Sequence, residues 1–326
     1  MKAVVITRPG DPEVLELREV PDISPGPGQV RVRVEAAGLN RADLLQRRGL
    51  YPAPPGAPRD IPGLEYAGRI DAVGAGVQLR KPGDRVMGIV AGGAFAEAVV
   101  VHERETISIP THISSSDAAA IPEAFLTAYD ALIRQCGMTS GDRVLIHAVG
   151  SGVGLAGLQL AHTLGCITLG SSRTPSKLEA AARFGLDHPI LNGDQGFSDA
   201  CLEATAGVGV QVVMDFFGAS ALEQNLKVLA AGGRMVLVGL MGGPRAPIDL
   251  SVLLTKRLML RGTTLRARPL EEKIQLAREF EAHLLHMFET GRLIPVVDRV
   301  LDMHQVREAH QRMEANETFG KVVLTW

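Results

Sequence analysis

Residues 143–173, RVLIHAVGSGVGLAGLQLAHTLGCITLGSSR, decide how this chain folds. An apolar strand (Val144, Leu145, Ile146) runs into a glycine-rich turn carrying Gly150, Gly152 and Gly154. A helix follows, with Val153, Gly157, Leu160, Ala161 and Leu164 on one face, and a second strand occupies 167–169. Strand, glycine turn, helix and strand in that order form the first half of a dinucleotide-binding βαβ unit. Glycines let the backbone approach a pyrophosphate, and the free N–H groups of the helix start point at its charge. Gly150, Ser151, Gly152, Val153 and Gly154 are therefore candidate cofactor residues.

The second strand indicates which dinucleotide. An NAD site places an acid about 20 residues after the turn to hold the ribose 2′-hydroxyl. No Asp or Glu occurs between Gly150 and Leu178. The strand ends instead in Ser171, Ser172 and Arg173, with Lys177 one helical turn further on. Hydroxyls and two cations suit a 2′-phosphate, so the expected cofactor is NADPH.

Working outward, 326 residues accommodate two domains, each with its own core. A formal net charge of −2 gives no electrostatic case for nucleic acid or anionic membranes. No 18-residue apolar span exists, and MKAVVITRPG lacks the apolar stretch of a signal peptide. Cys136, Cys166 and Cys201 are far apart in sequence, which argues for a reducing, cytoplasmic location.

The first third reads as β-rich. Val30, Val32 and Val34 alternate with Gln29, Arg31 and Arg33, and strand-like runs recur at 3–7, 66–73, 85–89 and 96–101. The stretch YPAPPGAP at 51–58 must be a loop. From Asp117 the pattern turns helical, with Pro122 as an internal break. Strands are then expected at 143–148, 166–169, 210–215, 234–238 and 258–263, with helices between most of them, a doubly wound parallel sheet. The tail predicts a helix at 270–289, a strand at 296–300, a helix at 304–314 and a strand at 321–324, returning to the N-terminal β domain.

With these pieces placed, the sequence resembles the medium-chain dehydrogenase/reductases along its whole length. Within them it is similar to the zinc-free, zeta-crystallin-like quinone oxidoreductases. The matching stretches are LNRADLLQRRGLYPAPPG (39–56), PGLEYAGRI (62–70), AAAIPEAFLTAYDAL (118–132), HAVGSGVG (147–154), LVGLMGG (237–243) and EAHQRMEANETFGKVVL (308–324). The resemblance implies an α/β protein with a GroES-like β-rich catalytic domain (1–122, completed by 266–326) and an NADPH-binding Rossmann domain (123–265). It also implies reduction of quinones or activated alkenes. One departure concerns the G-x-G-x-x-G pattern, whose third glycine would fall at 155, where this chain has Leu155; Gly154 and Gly157 flank it.

Zinc-dependent relatives carry a Cys ligand near Asn40–Asp43 and a His in a GHE triplet; this chain has Gly63, Leu64 and Glu65 there, and no metal is expected. A hydride acceptor still needs a donor for the oxygen that gains charge. Tyr51, one of three tyrosines, lies in the Pro-stiffened loop and is the first candidate. Asn40 follows a strand and carries an amide donor. Ser151 is a third candidate, although helix capping alone explains it. Thr127 in FLTAY resembles the threonine that meets the nicotinamide. Sheet logic adds Phe217, Gly218, Gly239, Leu240, Met241, Thr264 and Leu265 at carboxyl ends of parallel strands. Asn192 stands where many relatives have a tyrosine on the adenosine, and Asn316 resembles a residue that closes over the cofactor.

Three activities are compatible with this set: quinone reduction, reduction of an enone or enoyl thioester, and NADPH binding without turnover. Arg41, Arg47 and Arg48 keep open a basic groove for the anionic handle of a thioester. The partner is thus a small quinone or enone, with no nucleic acid and no membrane. The apolar strand at 258–263 would be a sheet edge, and pairing with its own copy would give a homodimer through the Rossmann edge strands.

Overall fold

The computed structural model describes residues 1–193 and 196–326. They divide into two compact units, Met1–Leu126 with Leu265–Trp326, and Thr127–Thr264.

The first unit is mostly antiparallel β. Its strands are β1 (Lys2–Ile6), β2 (Leu15–Glu19), β3 (Gln29–Gly38), β4 (Glu65–Val73), β5 (Arg85–Ile89), β6 (Ala98–His102) and β7 (Ile107–Ser108). The spine is β3. Val30, Val32 and Val34 point inward from it and are buried, as their alternation requires. β3 pairs with β4 on one side and with β6 on the other, and two register shifts against β4 bend it. A helix, α1 (Arg41–Arg47), follows β3, and α2 (Ser115–Ala118) precedes α3 (Pro122–Tyr129). Pro122 thus opens α3 rather than breaking a longer helix, because proline's missing N–H costs nothing in a first turn.

The second unit is a six-stranded parallel sheet. Its strands are β8 (Arg143–Ile146), β9 (Ile167–Ser172), β10 (His188–Leu191), β11 (Val210–Asp215), β12 (Leu229–Leu237) and β13 (Met259–Gly262). The order is β10-β9-β8-β11-β12-β13, so the chain reverses direction between β8 and β11. Ligands of such sheets bind beyond the carboxyl ends at that switch. The connecting helices are α4 (Gly152–Thr163), α5 (Pro175–Ala182), α6 (Ser198–Ala204), α7 (Leu222–Val228) and α8 (Leu250–Lys256). β13 is the sheet edge, as the sequence suggests.

After β13 the chain re-enters the first unit through α9 (Leu270–Glu289), β14 (Val297–Asp302), α10 (Val306–Glu314) and β15 (Lys321–Thr325). α9 buries Ile274, Ala277, Phe280, Leu284 and Phe288 at helical spacing, and the four larger side chains are worth about 1.5–3 kcal/mol each on full burial. β15 pairs antiparallel with Ala36–Gly38 of β3. Four elements have no counterpart in the sequence reading: β2, α1, β7 and β10. The last carries Pro189 in HPIL, which obscures its pattern, but it sits at the sheet edge where proline is tolerated. Among the described residues no helix is long and apolar enough to cross a membrane.

Candidate functional site

In the second unit the glycine turn joins β8 to α4. Ser151 is the N-cap: its hydroxyl accepts the Gly154 N–H at 3.0 Å. A Cβ at Gly154 would lie 2.5 Å from the Ala148 carbonyl oxygen and 2.9 Å from Val149 Cα. Gly154 is therefore the glycine that lets helix and strand close up. Leu155, the residue that breaks the glycine pattern, is 1 % exposed and packs in the core. Gly150 is buried, and Gly152 and Val153 are partly exposed at the start of α4.

At the end of β9 the three candidates separate. Ser171 is fully buried, with its hydroxyl 2.7 Å from His147 Nδ1. His147 Nε2 lies 2.8 Å from Asn225 Oδ1, and the ring packs edge-on against Phe197. An acceptor at Nε2 assigns the proton to that nitrogen and makes Nδ1 the acceptor for Ser171. Burial holds the His147 pKa below the ordinary histidine value and pushes that of Asp215 upward. Ser172 Oγ accepts the Thr174 N–H at 3.0 Å, which turns the chain into α5. Arg173 is exposed, with no hydrogen bond or ion pair to a described residue, and Lys177 lies half-buried in the first turn of α5. The Asn192 N–H donates to the Ser172 carbonyl at 2.9 Å, so Asn192 stands beside this strand end.

The loops after β11 and β12 are tied together. Met241 N–H donates to Phe216 O at 3.0 Å and Gly242 N–H to Phe217 O at 2.7 Å. Asp215 accepts the N–H groups of Phe217 and Gly218 at 2.8 and 3.0 Å. This brings Phe217, Gly218, Gly239, Leu240 and Met241 to one rim, with Leu240 and Met241 about half exposed. Thr264 ends the unit after β13 and is exposed, whereas Leu265 begins the other unit with its side chain in the core; only its backbone remains for a ligand. Thr127 is buried on α3 at the opposite end of the unit's sequence.

The first unit holds a buried polar cluster. Asn40 Nδ2 donates to Glu65 Oε1 at 2.9 Å and to the Gly38 carbonyl at 3.2 Å. Asn40 Oδ1 accepts Lys321 Nζ at 2.6 Å. The amide thus has partners on both its nitrogen and its oxygen. Lys321 Nζ also meets Glu65 Oε1 at 2.6 Å and the Leu39 carbonyl at 2.7 Å. Glu65 Oε2 accepts the Glu123 N–H at the start of α3, and Asp43 accepts the N–H groups of Gly63 and Asn40. Burial raises the Asp43 pKa to about 6 against its backbone hydrogen bonds. Burial and then the neighbouring Glu65 charge raise that of Glu123 to about 8.

These donors do not fit zinc. An ammonium sits among the oxygens of Asn40, Glu65 and Leu39, Leu64 has no ligating atom, and no group of three or more His, Cys, Asp or Glu able to hold a metal occurs among the described residues.

Tyr51 is half-buried at the start of the irregular loop 51–58, with the Arg266 guanidinium 4.9 Å from its ring centroid. Arg47 is fully buried; it pairs with Glu314, meets His310 Nδ1 at 3.2 Å and donates to the Gly10 carbonyl. Arg48 reaches the same carboxylate at 2.8 Å. Of the three arginines expected to line a basic groove, two are thus committed to one glutamate. Arg41 donates to Asn316 Oδ1 at 2.9 Å, and Asn316 adopts a left-handed φ of 56° just beyond α10. Lys321, His147 and Arg266 were not singled out from sequence because the partners of each lie far away along the chain.

Two family models match: alcohol dehydrogenase GroES-like domain over residues 26–111, and zinc-binding dehydrogenase over 152–282. A quinone oxidoreductase of Pseudomonas aeruginosa is 33 % identical, covering 97 % of this chain and 96 % of that one. The synaptic vesicle membrane protein VAT-1 homolog of Rattus norvegicus is 32 % identical over 99 % of this chain and 84 % of its own. Among solved structures, an NAD-dependent alcohol dehydrogenase superimposes with a TM-score of 0.89 at 32 % identity, covering both chains fully. Mycobacterial Rv1454c complexed with NADPH gives 0.89 at 30 %, again over both whole chains. CurK enoyl reductase gives 0.87 at 27 %, covering 99 % of this chain and 98 % of that one. The chain is an oxidoreductase of the medium-chain dehydrogenase/reductase family, of the quinone oxidoreductase-like kind.

Proposed function

We propose that this protein is an NADPH-dependent quinone reductase that works without a metal ion. The cofactor assignment is supported by the end of β9, where no acid is present and Arg173 extends into solvent with Lys177 nearby. A 2′-phosphate would be held by those two cations and the Ser172 region. The names of the structural neighbours include both NAD and NADPH, so the assignment rests on these residues. The pyrophosphate would lie on the start of α4, where N–H groups of a capped helix face an anion. The 217–218 and 239–241 rim, Thr127 and Thr264, with Asn192 and Asn316, complete the proposed cofactor set.

NADPH held by those residues would supply a hydride, and with one proton from solvent a quinone would become the hydroquinone. Tyr51 would donate a hydrogen bond from its phenol to the quinone oxygen as that oxygen gains charge, keeping its own proton. Asn40, Glu65 and Lys321 form a hydrogen-bonded cluster at the start of α1. One observation favours a quinone over an enoyl thioester: Arg47 and Arg48 are both turned onto Glu314, leaving no arginine cluster for an anionic handle. Alkene reduction remains the second reading, on the likeness to CurK enoyl reductase.

The test is Tyr51→Phe. Loss of one such donor costs about a hundredfold to a thousandfold in kcat at the upper end. An unchanged kcat with phenanthrenequinone would remove Tyr51 from the mechanism.

The unpaired edge of β13 and the exposed side chains of Leu250, Leu254 and Met259 support a homodimer joined edge to edge. Sedimentation at monomer mass would overturn it. Three buried, unpaired cysteines fit a reducing compartment such as the cytoplasm, which imaging of a tagged chain would check.

A further inference from the structure

We propose that Arg266 is a positioning residue that locks Tyr51 for the reaction, and so governs how well the acceptor is oriented; this rests on the reading of Tyr51 given above. The loop 51–58 has no regular secondary structure, and its tyrosine is only half-buried. Such a side chain would sample several rotamers unless something outside the loop held it.

Arg266 supplies that hold. Its side chain is 7 % exposed, yet every hydrogen bond it makes goes to a different segment. Nη1 donates to the Tyr51 carbonyl at 3.1 Å, fixing the loop's first residue. The guanidinium lies over the ring of the same tyrosine, 4.9 Å from its centroid, so it contacts the side chain as well as the backbone. Nη2 donates to Gln46 Oε1 at 2.5 Å on α1. Gln46 Nε2 in turn donates to the Arg59 carbonyl at 3.2 Å, just past the loop's far end. Nε donates to the Ala91 carbonyl at 2.8 Å. One planar fork therefore ties both ends of the tyrosine loop, α1 and the turn after β5.

The side chain chosen for this task matters. Three acceptors in different directions and a stacked ring need a flat group with fixed donor directions, which a guanidinium has and an ammonium lacks. A lysine at 266 would keep the charge and lose the geometry. Asp43 and Glu123 attract Arg266 electrostatically, yet neither accepts any of its hydrogen bonds. Arg266 is thus aimed at Tyr51 rather than at a carboxylate partner.

The experiment compares Arg266→Lys, Tyr51→Ala and the double variant in steady-state reduction of phenanthrenequinone by NADPH, with thermal melting beside it. We expect Arg266→Lys to lower kcat/KM for the quinone by about tenfold to a hundredfold, the cost of a misplaced reacting group. KM for NADPH stays within twofold, because the cofactor's own contacts are untouched. In the Tyr51→Ala background the same substitution has no further effect. Equal losses in both backgrounds would overturn the positioning role while leaving Tyr51 in place. Wild-type kinetics for Tyr51→Ala would instead overturn the reading of Tyr51 and this proposal with it. Should Arg266→Lys not fold, Gln46→Leu removes one anchor and leaves Arg266 present; a smaller loss of kcat/KM, again absent without Tyr51, supports the proposal, and an additive loss refutes it.

Discussion

Replacing Gly154 with alanine adds one methyl group where the structure has no room for it. The new Cβ would stand 2.5 Å from the Ala148 carbonyl oxygen and 2.9 Å from both Val149 Cα and its carbonyl oxygen. All three are backbone atoms of the turn itself, so no side chain can swing aside. Either α4 lifts from β8 or the turn opens. Overpacking of this kind costs about 1–3 kcal/mol. If that strain is relieved by moving the turn, dinucleotide affinity falls by about fivefold to 150-fold, since 1.4 kcal/mol is tenfold. Gly157→Ala is the internal control. Its Cβ would meet Met214 Cε at 2.6 Å and Leu132 Cδ1 at 3.3 Å, both flexible ends of side chains. That variant should lose little affinity. NADPH titration by fluorescence and thermal melting decide the matter. Wild-type affinity in Gly154→Ala, or equal losses in the two variants, would refute the assignment of the turn.

Three further outcomes follow from the same geometry. Arg173→Ser with Lys177→Ser removes both cations near the end of β9 and should raise KM for NADPH about tenfold or more, with little change for NADH; equal changes for both cofactors would contradict the 2′-phosphate assignment. Arg47→Ala leaves Glu314 without its buried partner and the Gly10 carbonyl without a donor, at a cost of about 3–5 kcal/mol by urea denaturation; a loss below about 1 kcal/mol would show that Arg48 compensates. Glu123 holds its proton to about pH 8 in the folded state and, at its ordinary value of 4.5, releases it earlier when unfolded. Between those values the native state binds more protons, so its stability falls as pH rises, by at most about 1.4 kcal/mol per unit. Denaturation across that window should show the decline, and Glu123→Gln should flatten it.

The nucleotide unit was legible because its signals are local. Val144–Ile146 and the glycine turn announce β8 and α4 together, and the acid missing before Leu178 can be counted. The 3.6-residue spacing of Ile274, Ala277, Phe280, Leu284 and Phe288 marks α9 equally well. What stayed hidden depends on distant partners. Ser171 reads as a cofactor donor until His147, on β8's continuation, takes its hydroxyl. Asn40 reads as a substrate donor until Lys321, 281 residues away, and Glu65 claim its amide. Arg47 and Arg48 read as a basic groove until Glu314 engages both. In each case the residue type was visible and its direction was not, because direction is set by tertiary packing.

The central claim, quinone reduction with NADPH, is met most directly by following NADPH absorbance with purified protein. Phenanthrenequinone and crotonyl-CoA serve as parallel acceptors, and NADH replaces NADPH as the control. The account predicts rapid oxidation of NADPH with the quinone, about tenfold or more slower oxidation of NADH, and little turnover of the thioester. Turnover with crotonyl-CoA alone, or NADPH binding with no turnover of either acceptor, would contradict it.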